Sequence, residues 1–268
     1  MEIEKIKKVL NKIKEEKPLI HSITNPISIN QCANAVLSLG ARPIMAEHPK
    51  EVSDITKSSK ALLINLGNIT DVRMESMKIS ILKAKEKNIP YIIDAVGVSC
   101  SLLRKNFLKE LIKISRPSII KGNYSEVMAL YNESYLFSGV DADNVLTIEE
   151  VKKASIKLSK DLGTVILASG KVDIAVFGEN ICLIYNGTQK LSSVTGTGCM
   201  LGIIAATFLS FTKAYDAAIL AALYLGVCGE IADKNKGNGS FLIDLFDAMS
   251  TVNSENIERR MKISYEKI

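Results

Sequence analysis

Short apolar runs of three to six residues alternate with longer amphipathic segments over residues 18–168. The runs fall at 18–23, 43–45, 61–65, 90–94, 118–121 and 165–168. A strand repeats every two residues and a helix every ~3.6, so this alternation reads as strands joined through helices. Strands joined that way run parallel, because the crossover returns the chain to the same edge of the sheet. The expected fold is α/β: a mostly parallel central sheet flanked by helices, in a single domain over residues 1–268.

The helical segments carry their own signals. Ile3, Ile6, Leu10 and Ile13 mark an amphipathic first helix. Residues 27–39 form a second, closed by Gly40. Asp71 is expected to cap a helix with Met74, Met77, Ile81 and Ala84 on one face. Leu102–Ile114 is helical, and Thr147 with Glu150 reads as a capping box before Val151, Ala154, Leu158 and Leu162. Residues 131–146 have no period and read as a flexible loop. Beyond 168 the pattern changes to a hairpin, 174–177 and 181–185, and then to three helices at 197–212, 214–234 and 240–250.

Composition narrows the function. The 268 residues are 47% apolar, enough for a large core. The net charge of +5 is spread out, aromatic residues reach 6% and Trp is absent, so a nucleic-acid partner is not expected. The five cysteines, at 32, 100, 182, 199 and 228, show neither zinc spacing nor a disulfide framework. They read as reduced thiols of a cytoplasmic protein, four of them as small buried hydrophobes. Residues 1–17 alternate Lys and Glu and lack the apolar stretch of a signal peptide. The apolar runs 199–211 and 217–229 are 13 residues each, too short for a bilayer, so no membrane partner is expected. Their surplus of apolar surface predicts a subunit interface.

Ligands of open α/β sheets bind beyond the carboxyl ends of the strands. The residues at that edge are Thr24-Asn25-Pro26, Met45, Asn65-Leu66-Gly67, Asp94-Ala95-Val96-Gly97, Lys121-Gly122-Asn123 and Ser169-Gly170. The most distinctive segment is Val194-Thr195-Gly196-Thr197-Gly198-Cys199, two glycines and two threonines opening an uncharged helix. Free N–H groups and the helix dipole make such a start a phosphate or oxyanion cradle. The same residues also suit a glycine-rich helix entry with no ligand. Cys199 in the first turn is placed to accept a proton, to attack as a nucleophile, or simply to pack. Asp94 and Glu126 are candidate Mg²⁺ carboxylates, or else a turn residue and a helix-terminal charge. His21 reads as a polar strand residue, and neither it nor His48 has metal-ligand spacing.

Together these motifs resemble the hydroxyethylthiazole kinase family of the ribokinase-like superfamily. The marks are His21-Ser22-Ile23-Thr24-Asn25, Gly40-Ala41-Arg42-Pro43-Ile44-Met45, Asn65-Leu66-Gly67, Asp94-Ala95-Val96-Gly97-Val98, Lys121-Gly122-Asn123-Tyr124-Ser125-Glu126, the Val194 to Cys199 segment and Gly237-Asn238-Gly239-Ser240-Phe241. The resemblance implies a ribokinase-like three-layer sandwich. It implies ATP- and Mg²⁺-dependent phosphorylation of the hydroxyethyl alcohol of a thiazole, in thiamine salvage, by a homotrimer with sites at subunit interfaces. It places Asn25, Met45, Gly67, Gly196 and Cys199 at the thiazole, Cys199 as the catalytic group. Lys121, Ser169 and Gly198 fall at the nucleotide, and Asp94 and Glu126 at the metal. Ala95 stands where the family has Pro, Lys121 where it has Arg, and Lys171 where it has Glu. The alternatives are a kinase for another small alcohol, such as a hydroxymethylpyrimidine or a sugar, and a non-catalytic thiazole- or nucleotide-binding protein.

Overall fold

The structure, a computed structural model, describes residues 2–132 and 146–267. It opens with α1 (Ile3–Glu16), whose Ile6, Val9, Leu10 and Ile13 form one buried face. There follow β1 (Leu19–Ile23), α2 (Ile29–Ser38), β2 (Arg42–Ile44), α3 (Val52–Ser58), β3 (Ala61–Asn65) and α4 (Asp71–Lys87). Next come β4 (Tyr91–Asp94), α5 (Leu102–Ile114), β5 (Ile119–Asn123), α6 (Tyr124–Tyr131), α7 (Ile148–Leu162) and β6 (Val165–Ser169). The chain continues through β7 (Asp173–Phe177), β8 (Asn180–Ile184) and a 3-10 turn, Gln189–Ser193. Helices α8 (Thr197–Leu209), α9 (Ala214–Ala232), α10 (Asn238–Thr251) and α11 (Ser254–Arg260) precede the last strand, β9 (Ile263–Lys267).

The strands form one sheet in the order β2-β1-β3-β4-β5-β6-β7-β8-β9. From β2 to β6 every neighbour is parallel, and β7, β8 and β9 are antiparallel additions. Alternate side chains of each strand enter opposite cores. Leu63, Ile92 and Ile119 face a layer of α1, α2 and α8 to α11. Leu62, Ile64, Ile93 and Ile120 face a layer of α3 to α7. The result is the expected three-layer sandwich.

Several local expectations change. The cap of α4 is Thr70, whose hydroxyl accepts the Arg73 N–H, and Asp71 is the first helical residue. Helices α3 and α11 and strand β9 were not foreseen, and α6 begins directly at the end of β5. Tyr131 closes that helix, while 133–145, most of the expected loop, lie outside the described residues. Cys100 is exposed, unlike the buried Cys32, Cys182 and Cys228.

The apolar surplus of α8 and α9 is not at the surface. Met200 to Leu209 of α8 and most of α9 are buried within this chain, against the sheet, α2, α10 and each other. Helix α9 extends beyond its apolar run to 19 residues, long and apolar enough to cross a membrane. Most of its residues, Ala217 to Gly229 throughout, are buried inside the protein, as in a core helix.

Candidate active site

At the carboxyl edge of the sheet, Asn65 is in register with Asp94, and Asp94 with Lys121. Each lies two residues beyond a core residue of the α8 face, so all three side chains point toward α8. Strands lie ~4.8 Å apart, close enough for such a row to bond sideways. Asn65 Nδ2 donates to Asp94 Oδ2 at 3.2 Å, and Lys121 Nζ donates to Asp94 Oδ1 at 3.0 Å. Asn65 and Asp94 are fully buried and Lys121 is 4% exposed. Burial pushes the Asp94 carboxyl up, against the pull of the Lys121 ammonium. Burial acts to lower Lys121 as well, but Asp94, Glu126 and Cys199 outweigh it and raise the amine above its ordinary value. The ammonium therefore stays charged.

The first turn of α8 meets this row. Gly196, the N-cap, has φ +94°, a conformation that side-chain-bearing residues avoid. A Cβ on Gly198 would find Lys121 Nζ at 3.5 Å as its near neighbour. The helix start and the ammonium thus converge on one place, an arrangement suited to an anion. One turn further, a Cβ on Gly202 would stand 3.2 Å from Asp94 Oδ2, so this glycine lets the helix rest on the carboxylate.

Cys199, half-buried in the same turn, accepts a hydrogen bond from Asn25 Nδ2 at 3.3 Å. The Asn25 amide is fixed from both ends. Its Oδ1 accepts the Ser28 N–H at 3.1 Å, and its Nδ2 also donates to Asn65 Oδ1 at 3.3 Å. Asn65 Oδ1 accepts the Gly67 N–H at 2.8 Å as well. A Cβ on Gly67 would lie 2.9 Å from both amides, so a side chain there would break the array. Met45, just past β2, packs half-buried on the same core as Cys199.

Glu126 lies in the first turn of α6. Its Oε2 accepts the Asn123 N–H at 2.7 Å and its Oε1 the Gly97 N–H at 2.8 Å, while Asn123 Oδ1 accepts the Glu126 N–H at 2.8 Å. This capping box ties the loop after β4 to the end of β5. Burial pushes the Glu126 carboxyl up, opposed by Lys121. Ser169 sits in register with Asn123, its hydroxyl 3.4 Å from the Gly122 carbonyl. At the next turn, Gly170 N–H donates to Asp173 Oδ1 at 3.0 Å, and burial pushes that carboxyl up to about 7. Lys171 points to solvent.

The structure thus brings Asn25, Gly67, Asp94, Lys121, Gly196, Gly198 and Cys199 into one constellation. Glu126 and Ser169 border it on the β5–β6 side, and Met45 belongs to the β2 side. Asn65 and Gly202 belong to the constellation too, and sequence reasoning did not single them out as site residues. Strand register would have paired Asn65 with Asp94. His21 is buried and structural: one ring nitrogen bonds Thr56 Oγ1 and the other the Ala46 carbonyl, both at 2.9 Å. Among the described residues, no three His, Cys, Asp or Glu gather to hold a metal ion.

A mostly parallel sheet in three layers, with a helix start and a buried cation at its carboxyl edge, is the architecture of the ribokinase-like class. A pyridoxal kinase from Staphylococcus aureus, solved with AMP-PCP and pyridoxal, shares this fold at a TM-score of 0.65 and 12% identity, over 94% of this chain and 99% of that one. Within the class, residues 10–255 match the hydroxyethylthiazole kinase family, and the chain belongs to that family. It is 46% identical to a hydroxyethylthiazole kinase 2 of Clostridium botulinum over 261 residues, 94% of this chain and 97% of the relative. The solved hydroxyethylthiazole kinase protein of Pyrococcus horikoshii superposes with a TM-score of 0.90 at 29% identity, over 98% of this chain and all of that one.

Proposed function

We propose that this chain transfers the terminal phosphoryl group of ATP to the hydroxyethyl alcohol of a thiazole, forming the thiazole phosphate for thiamine salvage. The observation that carries the reading is the Lys121 ammonium, held by Asp94 beside the first turn of α8, with Cys199 in that same turn. Phosphoryl transfer passes through a loose transition state, so the protein contributes alignment and charge neutralisation. Lys121 and the N–H groups from Gly196 to Cys199 meet the charge of the transferred group. Ser169 and Gly198 border the nucleotide. Asn25, Met45, Gly67 and Gly196 shape the thiazole side, and Cys199 holds the alcohol; in its thiolate form it takes the alcohol proton and becomes the thiol.

Asp94 and Glu126 are the carboxylates that would hold Mg²⁺. Their oxygens are hard donors, and each keeps lone pairs beyond the bonds described above. With two protein ligands, the fit is to an ion that retains water and phosphate in its shell. When bound, the ion adds charge neutralisation at the phosphates. Lys121 supplies one rotatable cation where the family's Arg supplies a planar fork, so it neutralises phosphate with looser geometric control.

The reading includes one kinase domain over residues 1–268, in the cytoplasm, where ATP is available and the five free thiols stay reduced. It also includes a homotrimer with its sites at the subunit interfaces. Ile27, 59% exposed and two residues from Asn25, supports an interface at this edge. An ATP-consumption assay tests the reaction. Turnover is expected with the thiazole alcohol and not with a hydroxymethylpyrimidine or a pentose. Turnover with either of those, and none with the thiazole, would overturn the reading.

A further inference from the structure

Five side chains form an unbroken hydrogen-bonded row across the edge of the sheet, from Lys121 through Asp94, Asn65 and Asn25 to Cys199. Its two ends serve different halves of the proposed reaction. Lys121 and Asp94 face the phosphates, while Asn25 and Cys199 face the alcohol. Asn65 is the one member that touches both halves. It is fully buried at the end of β3, where an amide has no ordinary packing advantage over Leu or Val.

The polarity of the row is determined by the backbone. Gly67 N–H points at Asn65 Oδ1, so that atom must be the acceptor and Nδ2 must face Asp94. Ser28 N–H points at Asn25 Oδ1, so Asn25 Nδ2 must face Asn65 Oδ1 and the Cys199 sulfur. The sulfur therefore receives an N–H. That bond fixes where the sulfur lone pairs point, which sets the position of an alcohol held against them. At the other end, the Asn65 N–H holds one oxygen of Asp94 and leaves the other for Lys121.

Resting on the function proposed above, we propose that Asn65 is a positioning residue, which fixes the alcohol-holding half of the site against the phosphate-holding half and keeps the Cys199 sulfur an acceptor. Displacements of ~1 Å in such an alignment cost about 10²-fold in rate. Binding of either substrate alone is expected to suffer much less.

Two variants separate this role from a packing role. Asn65→Asp keeps an acceptor for Gly67 and Asn25 but sets a second carboxylate against Asp94. Asn65→Leu removes every bond of the amide at similar volume. Steady-state kinetics should show kcat reduced about tenfold or more in both, with KM for thiazole and for ATP within about threefold of the unmodified protein. A residue that acted only in packing would lower the melting temperature and leave kcat per folded molecule unchanged. That outcome would overturn the proposal.

A second readout does not depend on turnover. In a Cys100→Ser background, the rate of Cys199 alkylation by iodoacetamide is followed by mass spectrometry. Asn65→Leu should slow it several-fold, because Asn25, left with Ser28 as its one remaining anchor, swings its N–H off the sulfur. Simple loosening of the fold would speed alkylation, and an unchanged or faster rate would overturn the proposal. If the unmodified protein fails to phosphorylate the thiazole while this slowing is seen, the functional reading falls and the hydrogen-bonded role of Asn65 stands.

Discussion

At the scale of single residues, Cys199 and His21 show how context assigns a role that residue type leaves open. Cys199 already accepts a hydrogen bond from Asn25. A carboxylate can accept the same bond and is favoured at a helix start. Cys199→Asp is therefore expected to retain or raise turnover. Cys199→Ser should lose activity toward the low end of general-base effects, about 10²-fold, because a hydroxyl still orients the alcohol. Turnover of the two purified variants checks this. A folded, thiazole-binding Asp variant far less active than the Ser variant would end the general-base role. His21 is a different case, since burial lowers its pKa from 6.5 to about 4. The unfolded chain then binds the proton more tightly than the folded one, and this histidine costs stability as pH falls from 6.5 toward 4. The loss is on the order of 3 kcal/mol in full and levels off below that window. The raised carboxyls of Asp94 and Glu126 act in the opposite sense, so the comparison must be differential. Urea midpoints for the unmodified protein and His21→Gln, measured from pH 7 to 4, should fall less steeply in the variant. Equal slopes would clear His21 of the effect.

At the scale of elements, the contact between α8 and β4 depends on Gly202. Alanine normally favours a helix interior by up to ~1 kcal/mol over glycine. Here the added methyl would meet Asp94 Oδ2 at 3.2 Å and Leu63 Cδ1 at 3.4 Å. Gly202→Ala is expected to gain no thermal stability and to lose on the order of tenfold in kcat as the carboxylate shifts. A variant that is both more stable and fully active would show that the close approach is dispensable. The same scale shows what the sequence can declare. The Thr147–Glu150 capping box and the strands 61–65 and 90–94 were legible because their signals are local. Strand β9 was not, since its Ile263-Ser264-Tyr265-Glu266-Lys267 is a half-exposed edge that becomes a strand by pairing with β8. Asn65 stood in view as a residue of a family mark. Its partnership with Asp94 appears once the register of β3 against β4 is known, and register is a long-range property.

At the scale of the molecule, the core consumes the apolar surface that the sequence offers for association. Helices α8 and α9 are interior, so the proposed homotrimer would draw on other residues. Ile27, Leu37 and Ile243 remain 59%, 56% and 66% exposed, on and beside α2 and on α10, which packs against α2. Sedimentation at micromolar concentration is expected to return a trimer. Ile27→Asp should shift it toward the single chain and lower turnover along with assembly. A monomeric unmodified protein with full activity would remove the interface from the functional reading.

Helix α1 packs on α8 and α11, elements made from the far end of the chain. During synthesis its apolar face, Ile6, Val9, Leu10 and Ile13, is made well before that cover. Translation runs at about 5–20 residues per second, so that face waits on the order of tens of seconds. The nascent chain therefore carries an unsatisfied amphipathic helix through much of its synthesis, a natural foothold for a ribosome-associated chaperone and a hazard when many ribosomes share one message.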